Sequence, residues 1–359
     1  MDKHCKQQLE KFGMKVKDIT HVCIAPNFYP LLQYMLLLPD DIILHHSYYF
    51  TVDTMPSSVK KGIPCSTYLL GKGSLLNEIE KRFQKLLFRF FKYRNFPFLK
   101  TANIFAYDLP YLNLLIGKRE YSLLADAPNW LTLNVQEHSL EYKRLLQRAS
   151  SIKGKIQRLV FGNLFVNCYG NNNQCKVIYL TEENSSPILK GKQVIINSLQ
   201  ELWTESSLAK QEFIKELFDI SDNDVNLLNN RPIIFFSQPL LDDCHLTEDE
   251  WVQINRSIFS HYDHNKLLIK THPRDTFDYK KHFPDIVIYN KIVNTQLLSL
   301  VGVKPEKVAT ICSTAIEAFP ESIECDYYGT GIHPKIMNYL GKDYKPNRKV
   351  NNIPLNNNC

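Results

Sequence analysis

Two short polar turns, each closing an apolar strand, carry the residue types best suited to chemistry. Lys270-Thr271-His272-Pro273-Arg274-Asp275 follows the strand-like Lys266-Leu267-Leu268-Ile269, and Cys312-Ser313-Thr314 follows Val308-Ala309-Thr310-Ile311. The run Ala315-Ile316-Glu317-Ala318-Phe319 after the second turn reads as a helix. Its first N–H groups, its positive dipole end and the hydroxyls of Ser313 and Thr314 would suit a phosphate. An imidazole at His272, one or two strands away, would hydrogen-bond or protonate that phosphate as it departs. This is the chemistry of a nucleotide-sugar site, where a carboxylate must also take a proton from the acceptor hydroxyl. Asp126, Asp242 and Asp243, each just past a strand end, are the candidates, with Glu250 next in line. A His-Pro turn alone is more often structural, and His333-Pro334 offers a second one. The Ser-Thr pair is what singles out His272.

Strands that end in polar turns and lead into helices belong to an open α/β sheet, whose ligands gather beyond the carboxyl ends of the strands. The chain opens that way, with a strand at Ile19–Ile24, a helical run at Tyr29–Leu38 and a strand expected at Asp41–Leu44. Further strands are expected at 103–106, 120–124, 177–180 and 194–197, and a basic helical stretch at 140–164. After residue 231 the alternation is cleaner, with strands at 232–236, 266–270, 286–289 and 307–311. Thr247 and Glu250 form a capping box that opens a helix between the first two of these. The fold class is α/β, two Rossmann-like domains facing a cleft in the glycosyltransferase-B arrangement. Residues 1–205 form an acceptor domain, 206–230 a linker, 231–325 a donor domain and 326–359 a C-terminal tail or helix. Asp222-Asn223-Asp224, the only Asp-x-Asp segment, falls in the linker and reads as a solvated turn rather than a metal site.

The 359 residues are 44% hydrophobic and 22% charged, ordinary for a globular protein, with a formal net charge of +6. That charge favours anionic partners but is too mild to indicate nucleic acid. Nine cysteines without a CxxC pair read as thiols in a reducing compartment. Met1–Lys17 is polar, unlike a secretory signal, and no run approaches the roughly 18 apolar residues of a membrane span. The expected location is therefore cytoplasmic, with peripheral contact at the inner membrane. In Glu78–Tyr93, Phe83, Leu86, Leu87, Phe90 and Phe91 recur at helical spacing beside Arg82, Lys85, Arg89 and Lys92. Such a helix is either packed with a solvated basic face or drawn to an anionic membrane.

At the His-Pro and Ser-Thr turns the chain resembles bacterial sialyltransferases of glycosyltransferase family 52, the lipooligosaccharide and capsule enzymes. Lys270–Arg274 looks like their His-Pro motif and Ser313-Thr314 like their Ser-Ser/Thr motif. Ser237-Gln238-Pro239-Leu240 and Cys23–Leu32 are similar too, so the resemblance spans residues 19–320. It implies CMP-sialic acid as donor, a terminal galactoside of a surface glycan as acceptor, inversion at the sugar, and no metal or cofactor. It also implies His272 as general acid and Ser313 and Thr314 as phosphate ligands, with Lys270, Gln238 and Pro273 beside them. The related enzymes carry an acidic-acidic-Gly motif in the first domain, where this chain has Ala125-Asp126-Ala127. The base therefore stays open among Asp126, Asp242 and Asp243. Two alternatives also stay open: transfer of glucose or another sugar to lipooligosaccharide, and a binding protein that has lost the chemistry. An anionic membrane surface and a homodimer are further candidate partners.

Overall fold

The computed structural model describes residues 1–52, 55–68, 90–107, 113–127, 140–165, 167, 169–183, 186–341, 346 and 348–354. The chain forms two compact units, Met1–Phe218 and Asp219–Cys359.

The first unit is built on β1 (His21–Ile24), β2 (Ser47–Val52), β3 (Cys65–Tyr68), β4 (Asn103–Ala106), β5 (Tyr121–Leu124), β6 (Cys175–Leu180) and β7 (Gln193–Ile196). They form one sheet in the order β3-β2-β1-β4-β5-β6-β7. The second unit holds β8 (Ile233–Phe236), β9 (Leu267–Lys270), β10 (Val287–Tyr289), β11 (Lys307–Thr310), β12 (Glu324–Tyr327) and β13 (Asn351–Asn352), in the order β10-β9-β8-β11-β12-β13. Every ladder in both sheets is parallel. Helices cover both faces of such sheets, so their strands read as continuous apolar runs. Leu267, Leu268 and Ile269 are wholly buried, as are Val22, Cys23 and Ile24. In each unit the order reverses beside the first strand, at β1/β4 and at β8/β11, the place where doubly wound sheets open a crevice.

Several expectations change. Asp41–Leu44 lies in the helix Asp40–His45, not in a strand. Pro39 precedes it, Asp40 and Asp41 occupy its first turn and His45 its last, all favourable to the dipole. The second strand is instead Ser47–Val52, buried along its whole length. Asp222-Asn223-Asp224 is the first turn of the helix Asp222–Asn229, capped by Ser221. Asp224 is buried there and paired with Lys291 at 2.8 Å. Residues 206–230 are absorbed into the two units: Lys210 of the helix Leu208–Leu217 bonds Leu38 O at 2.7 Å, and Asn229 bonds Gly302 O at 3.1 Å. Residues 326–359 supply a helix, Pro334–Leu340, and the edge strand β13. Arg348 anchors that segment through the carbonyls of Ile316, Phe319, Pro320 and Ile323.

The capping box forms as read, opening the helix Glu248–Phe259. Of the amphipathic stretch Glu78–Tyr93, Arg82, Phe83, Lys85, Leu86, Leu87 and Arg89 lie outside the described residues. Lys92, expected on a cationic stripe, is buried and donates to the carbonyls of Leu114 and Leu115 at 2.8 and 3.1 Å. The seven described cysteines are free and buried; Cys168 and Cys359 lie outside the described residues. Among the described residues no helix is long and apolar enough to cross a membrane, and no group of three His, Cys, Asp or Glu side chains is placed to hold a metal ion.

Candidate active site

In the second unit the polar turns sit at the carboxyl edge of three neighbouring strands. β9 and β11 flank β8, which puts their ends about 10 Å apart at the usual strand spacing. Pro273 sets the turn after β9. Its ring fixes φ and biases His272 towards extended backbone, and Asp275 N–H closes the turn on His272 O at 2.9 Å. Pro273 thus builds the turn that presents His272.

Ser237, buried at the end of β8, ties this turn to its neighbour. Its Oγ accepts from His272 N at 3.0 Å and donates to the Asp275 carboxylate. Asp275 also accepts from Tyr279 Oη at 3.0 Å and Phe277 N at 3.2 Å. Burial raises the Asp275 pKa, and the nearby Asp242 adds to the effect, against the lowering by these hydrogen bonds. Neither Ser237 nor Asp275 was named from sequence as holding the histidine. Both lie within the quoted motifs, yet only strand pairing shows that they meet.

The ring of His272 accepts from Arg274 N at Nδ1, 3.1 Å away. In the neutral ring this places the proton on Nε2, so Nε2–H is the donor left to face a ligand. Burial, then the charges of Arg274 and Lys270, lower the His272 pKa to about 4, with Asp243 opposing. His272 is therefore neutral at neutral pH. Lys270 is 4% exposed and donates to Thr271 O at 2.8 Å. Burial brings its pKa down to about 8, and its ammonium acts on the His272 ring through its charge.

Ser313 and Thr314 follow β11, but the helix they open is a 3₁₀ segment, Thr314–Ala318, rather than an α-helix. The donor set differs accordingly. Ser313 N–H is bonded to Thr310 Oγ1 at 3.0 Å, and Ala315 N–H to Ser313 Oγ at 3.2 Å. A five-residue segment adds little dipole, so the hydroxyls carry most of what this turn offers an anion. Gln238 spans β8 and β11, its amide donating to Cys312 O at 3.4 Å and accepting from Cys312 Sγ at 2.6 Å. Asp243 forms a two-pronged pair with Arg274 at 3.1 and 3.0 Å, and Asp242 accepts from Thr276 Oγ1 at 2.8 Å. Glu250 is held in its capping box and by Lys335 at 2.7 Å, which lowers its pKa to about 2. A carboxylate so satisfied is a poor proton acceptor.

Asp126 belongs to the first unit, where the edges of β1, β4 and β5 converge. Asn27, three residues past β1, caps the helix Phe28–Leu37 through Tyr29 N at 2.9 Å and donates its amide to the Asp126 carboxylate. Tyr107, directly after β4, also bonds Asp126. Burial raises the Asp126 pKa despite both donors, which makes it a better proton acceptor than a surface Asp. Ala125 is 1% exposed, its N–H bonded to Gln33 at 2.9 Å. A second acid at that position would be buried beside the first.

Two doubly wound parallel sheets, each with polar turns at its carboxyl edge, define the glycosyltransferase-B class. Residues 132–336 match the sequence model of glycosyltransferase family 52, more than half of the chain, and the chain belongs to that family. An uncharacterized protein of Haemophilus influenzae is 36% identical over 174 residues, 48% of this chain and 56% of that protein, so the match spans little more than half of that relative's length. The fold is similar to a 2,6-sialyltransferase of Photobacterium sp. JT-ISH-224 solved with CMP and lactose, at TM-score 0.57 and 11% identity over 92% of this chain and 78% of that one. A sialyltransferase from Photobacterium damsela aligns at TM-score 0.52 and 13% identity, covering 90% of this chain and 79% of that one.

Proposed function

We propose that the chain is an inverting sialyltransferase that moves sialic acid from CMP-sialic acid to a terminal galactoside of a surface glycan. The observation that carries this reading is the His272 turn, an imidazole of fixed tautomer offering Nε2–H at the switch-point edge of the second sheet. A neutral imidazole first hydrogen-bonds the phosphate. The phosphate's negative charge then draws the imidazole pKa upward, so a proton can follow as the sugar leaves. Ser313 and Thr314 supply hydroxyl donors to the same anion. Asp126, with its raised pKa, is the favoured base, ahead of Asp242 and Asp243, which are engaged by Thr276 and Arg274. A single phosphate carries modest charge, and these donors together with Lys270 are read as meeting it without a metal.

The deciding experiment incubates the protein with CMP-sialic acid and lactose, reading released CMP and sialylated lactose by mass, with and without EDTA. Transfer at equal rates in both is expected. Thermal-shift titration with CMP, UDP and GDP runs alongside. Stabilisation by UDP alone, with transfer from a UDP-sugar, would replace the donor. Stabilisation by CMP with neither transfer nor donor hydrolysis would leave a binding protein. A rate abolished by EDTA and restored by Mg²⁺ would overturn the metal-free reading.

A further inference from the structure

The first unit also holds a cavity of about 290 Å³ that borders none of the candidate site residues. Its wall is made by parts of 92–93, 113–118 and 161–164 together with Gln174. Gly117 and Lys118 precede β5 and Gln174 precedes β6, whereas Asp126 follows β5. The cavity therefore lies at the amino edge of the sheet, with the four-residue strand β5, about 13 Å long, between it and the carboxyl edge.

Local chemistry holds the wall in place. The short helix Asn113–Ile116 leaves carbonyls without partners in the helix, and Lys92 donates to those of Leu114 and Leu115 at 2.8 and 3.1 Å. Gly117 ends that helix at φ 66°, and a Cβ there would lie 2.0 Å from Lys92 Nζ, so glycine lets the ammonium close on the turn. Two amide side chains are fixed in the same wall. Asn113 donates Nδ2–H to Leu164 O, and Gln174 donates Nε2–H to Gly117 O and Arg119 O at 2.8 and 3.0 Å. A carbonyl only accepts, so these bonds decide which end of each amide is nitrogen. Both nitrogens are spent on backbone, and Asn113 Oδ1 and Gln174 Oε1 receive no hydrogen bond among the described residues. Asn113 is 3% exposed, so its oxygen is a buried acceptor whose desolvation stays uncompensated until a donor reaches it.

The lone acceptors call for hydroxyl or N–H donors. An ammonium ligand would be repelled by Lys92 and by Lys118, which is exposed at the rim, and no Asp or Glu is among the described lining residues. Hydroxyls remain, with a negative group to meet Lys118. Tyr93 and Phe161 add aromatic surface, which suits a ring whose faces are C–H and whose edges are polar. We propose that this cavity binds an acidic monosaccharide, a pyranose carrying a carboxylate or a phosphate, as a carbohydrate site separate from the sheet edge of Asp126. Its volume is at the lower end of small-molecule pockets, about 300 Å³, which sets the ligand at one ring. The inference needs neither the donor sugar nor His272.

Calorimetric titration of the full chain with glucuronate, glucose 6-phosphate, glucose and inorganic phosphate tests it. Glucuronate, glucose 6-phosphate or both should bind more tightly than glucose and than phosphate alone, and the tighter of the two assigns the anionic group. In a sample labelled at leucine methyls, the bound acid should shift Leu114 and Leu164, which line the cavity, and leave Leu240 of the second unit unmoved. An exposed ion pair is worth up to about a five-fold change in affinity. K118E replaces attraction by repulsion, so it should weaken the acidic sugars by at least about that factor, with glucose and the melting temperature unaffected. The proposal is overturned if neither acidic sugar binds, if glucose or inorganic phosphate binds as well as they do, or if K118E binds them like wild type. It is overturned too if CMP or lactose displaces the acid, since that places it at the candidate active site.

Discussion

At the carboxyl edge of the first sheet, Asp126 receives hydrogen bonds from Asn27 and Tyr107 and still has a raised pKa. At the same edge of the second sheet, His272 receives one from Arg274 N and has its pKa lowered to about 4. Strand order is shared, and the largest cause is the same, desolvation. Its consequence is opposite in sign because burial favours whichever form is uncharged, the acid for aspartate and the base for histidine. One strand order thus yields a ready proton acceptor on one unit and a neutral hydrogen-bond donor on the other. Identity of the side chain, rather than a different architecture, divides the roles.

The comparison breaks most sharply at these two residues. Under the proposed mechanism H272A lowers turnover by about 10²–10⁴ while CMP affinity changes far less; an effect on affinity alone reduces His272 to positioning. D126N lowers transfer over a similar range and spares CMP binding, whereas D242N and D243N stay within about ten-fold of wild type. Should D126N remain near wild type while D243N fails, the base moves to the second unit. Steady-state kinetics with lactose decides between these outcomes.

An effect on donor affinity rather than on turnover is expected at the second turn. Each charge-assisted hydrogen bond to a phosphate is worth about 1.5–3 kcal/mol, so S313A/T314A should weaken donor binding by one to several orders of magnitude. The shortness of the 3₁₀ segment sharpens this prediction, since little backbone dipole remains to compensate for lost hydroxyls. Donor titration by calorimetry on the folded double variant provides the check, and unchanged affinity removes the phosphate from this turn.

The smallest effect concerns stability against pH. The folded pKa of His272, about 4, lies below its ordinary 6.5. The folded state therefore binds fewer protons between these values, and the stability contributed by a neutral His272 is complete above 6.5 and declines as pH falls towards 4. Asp126 has the opposite sign, since its raised folded pKa means that acid relieves a cost present when it is ionised. Melting temperatures of wild type and H272Q should diverge as pH drops through that window, with wild type losing more. Parallel curves would show that burial does not govern the ring.

Much of the second unit was legible in the sequence. β8, β9 and β11 lie where apolar runs bounded by turn residues placed them, and Thr247 and Glu250 form their capping box. Patterns set by neighbours in the chain survive folding when no tertiary contact opposes them. Asp41–Leu44 misled because four residues containing Ile-Ile-Leu satisfy strand and helix alike, while Asp40 and Asp41 in the first turn favour the helix. The basic, polar reading of 140–164 identified helices but not that Ile152, Ile156 and Leu159 are left exposed, since burial depends on what the rest of the chain covers.

By itself the sequence determined a doubly wound α/β architecture, the presence of His272 and Ser313-Thr314 at strand ends, and an acid at position 126. All of these follow from local pattern and side-chain chemistry. Only the tertiary structure decided that Ser237 and Asp275 hold the His272 turn, that Lys270 and Lys92 are buried, and that Glu250 is spent on Lys335. It also decided which way each pKa moves. Desolvation and long-range hydrogen bonds come from residues far away in sequence, 99 positions between Asn27 and Asp126 and 35 between Ser237 and His272. Such distances leave no periodic trace in the chain.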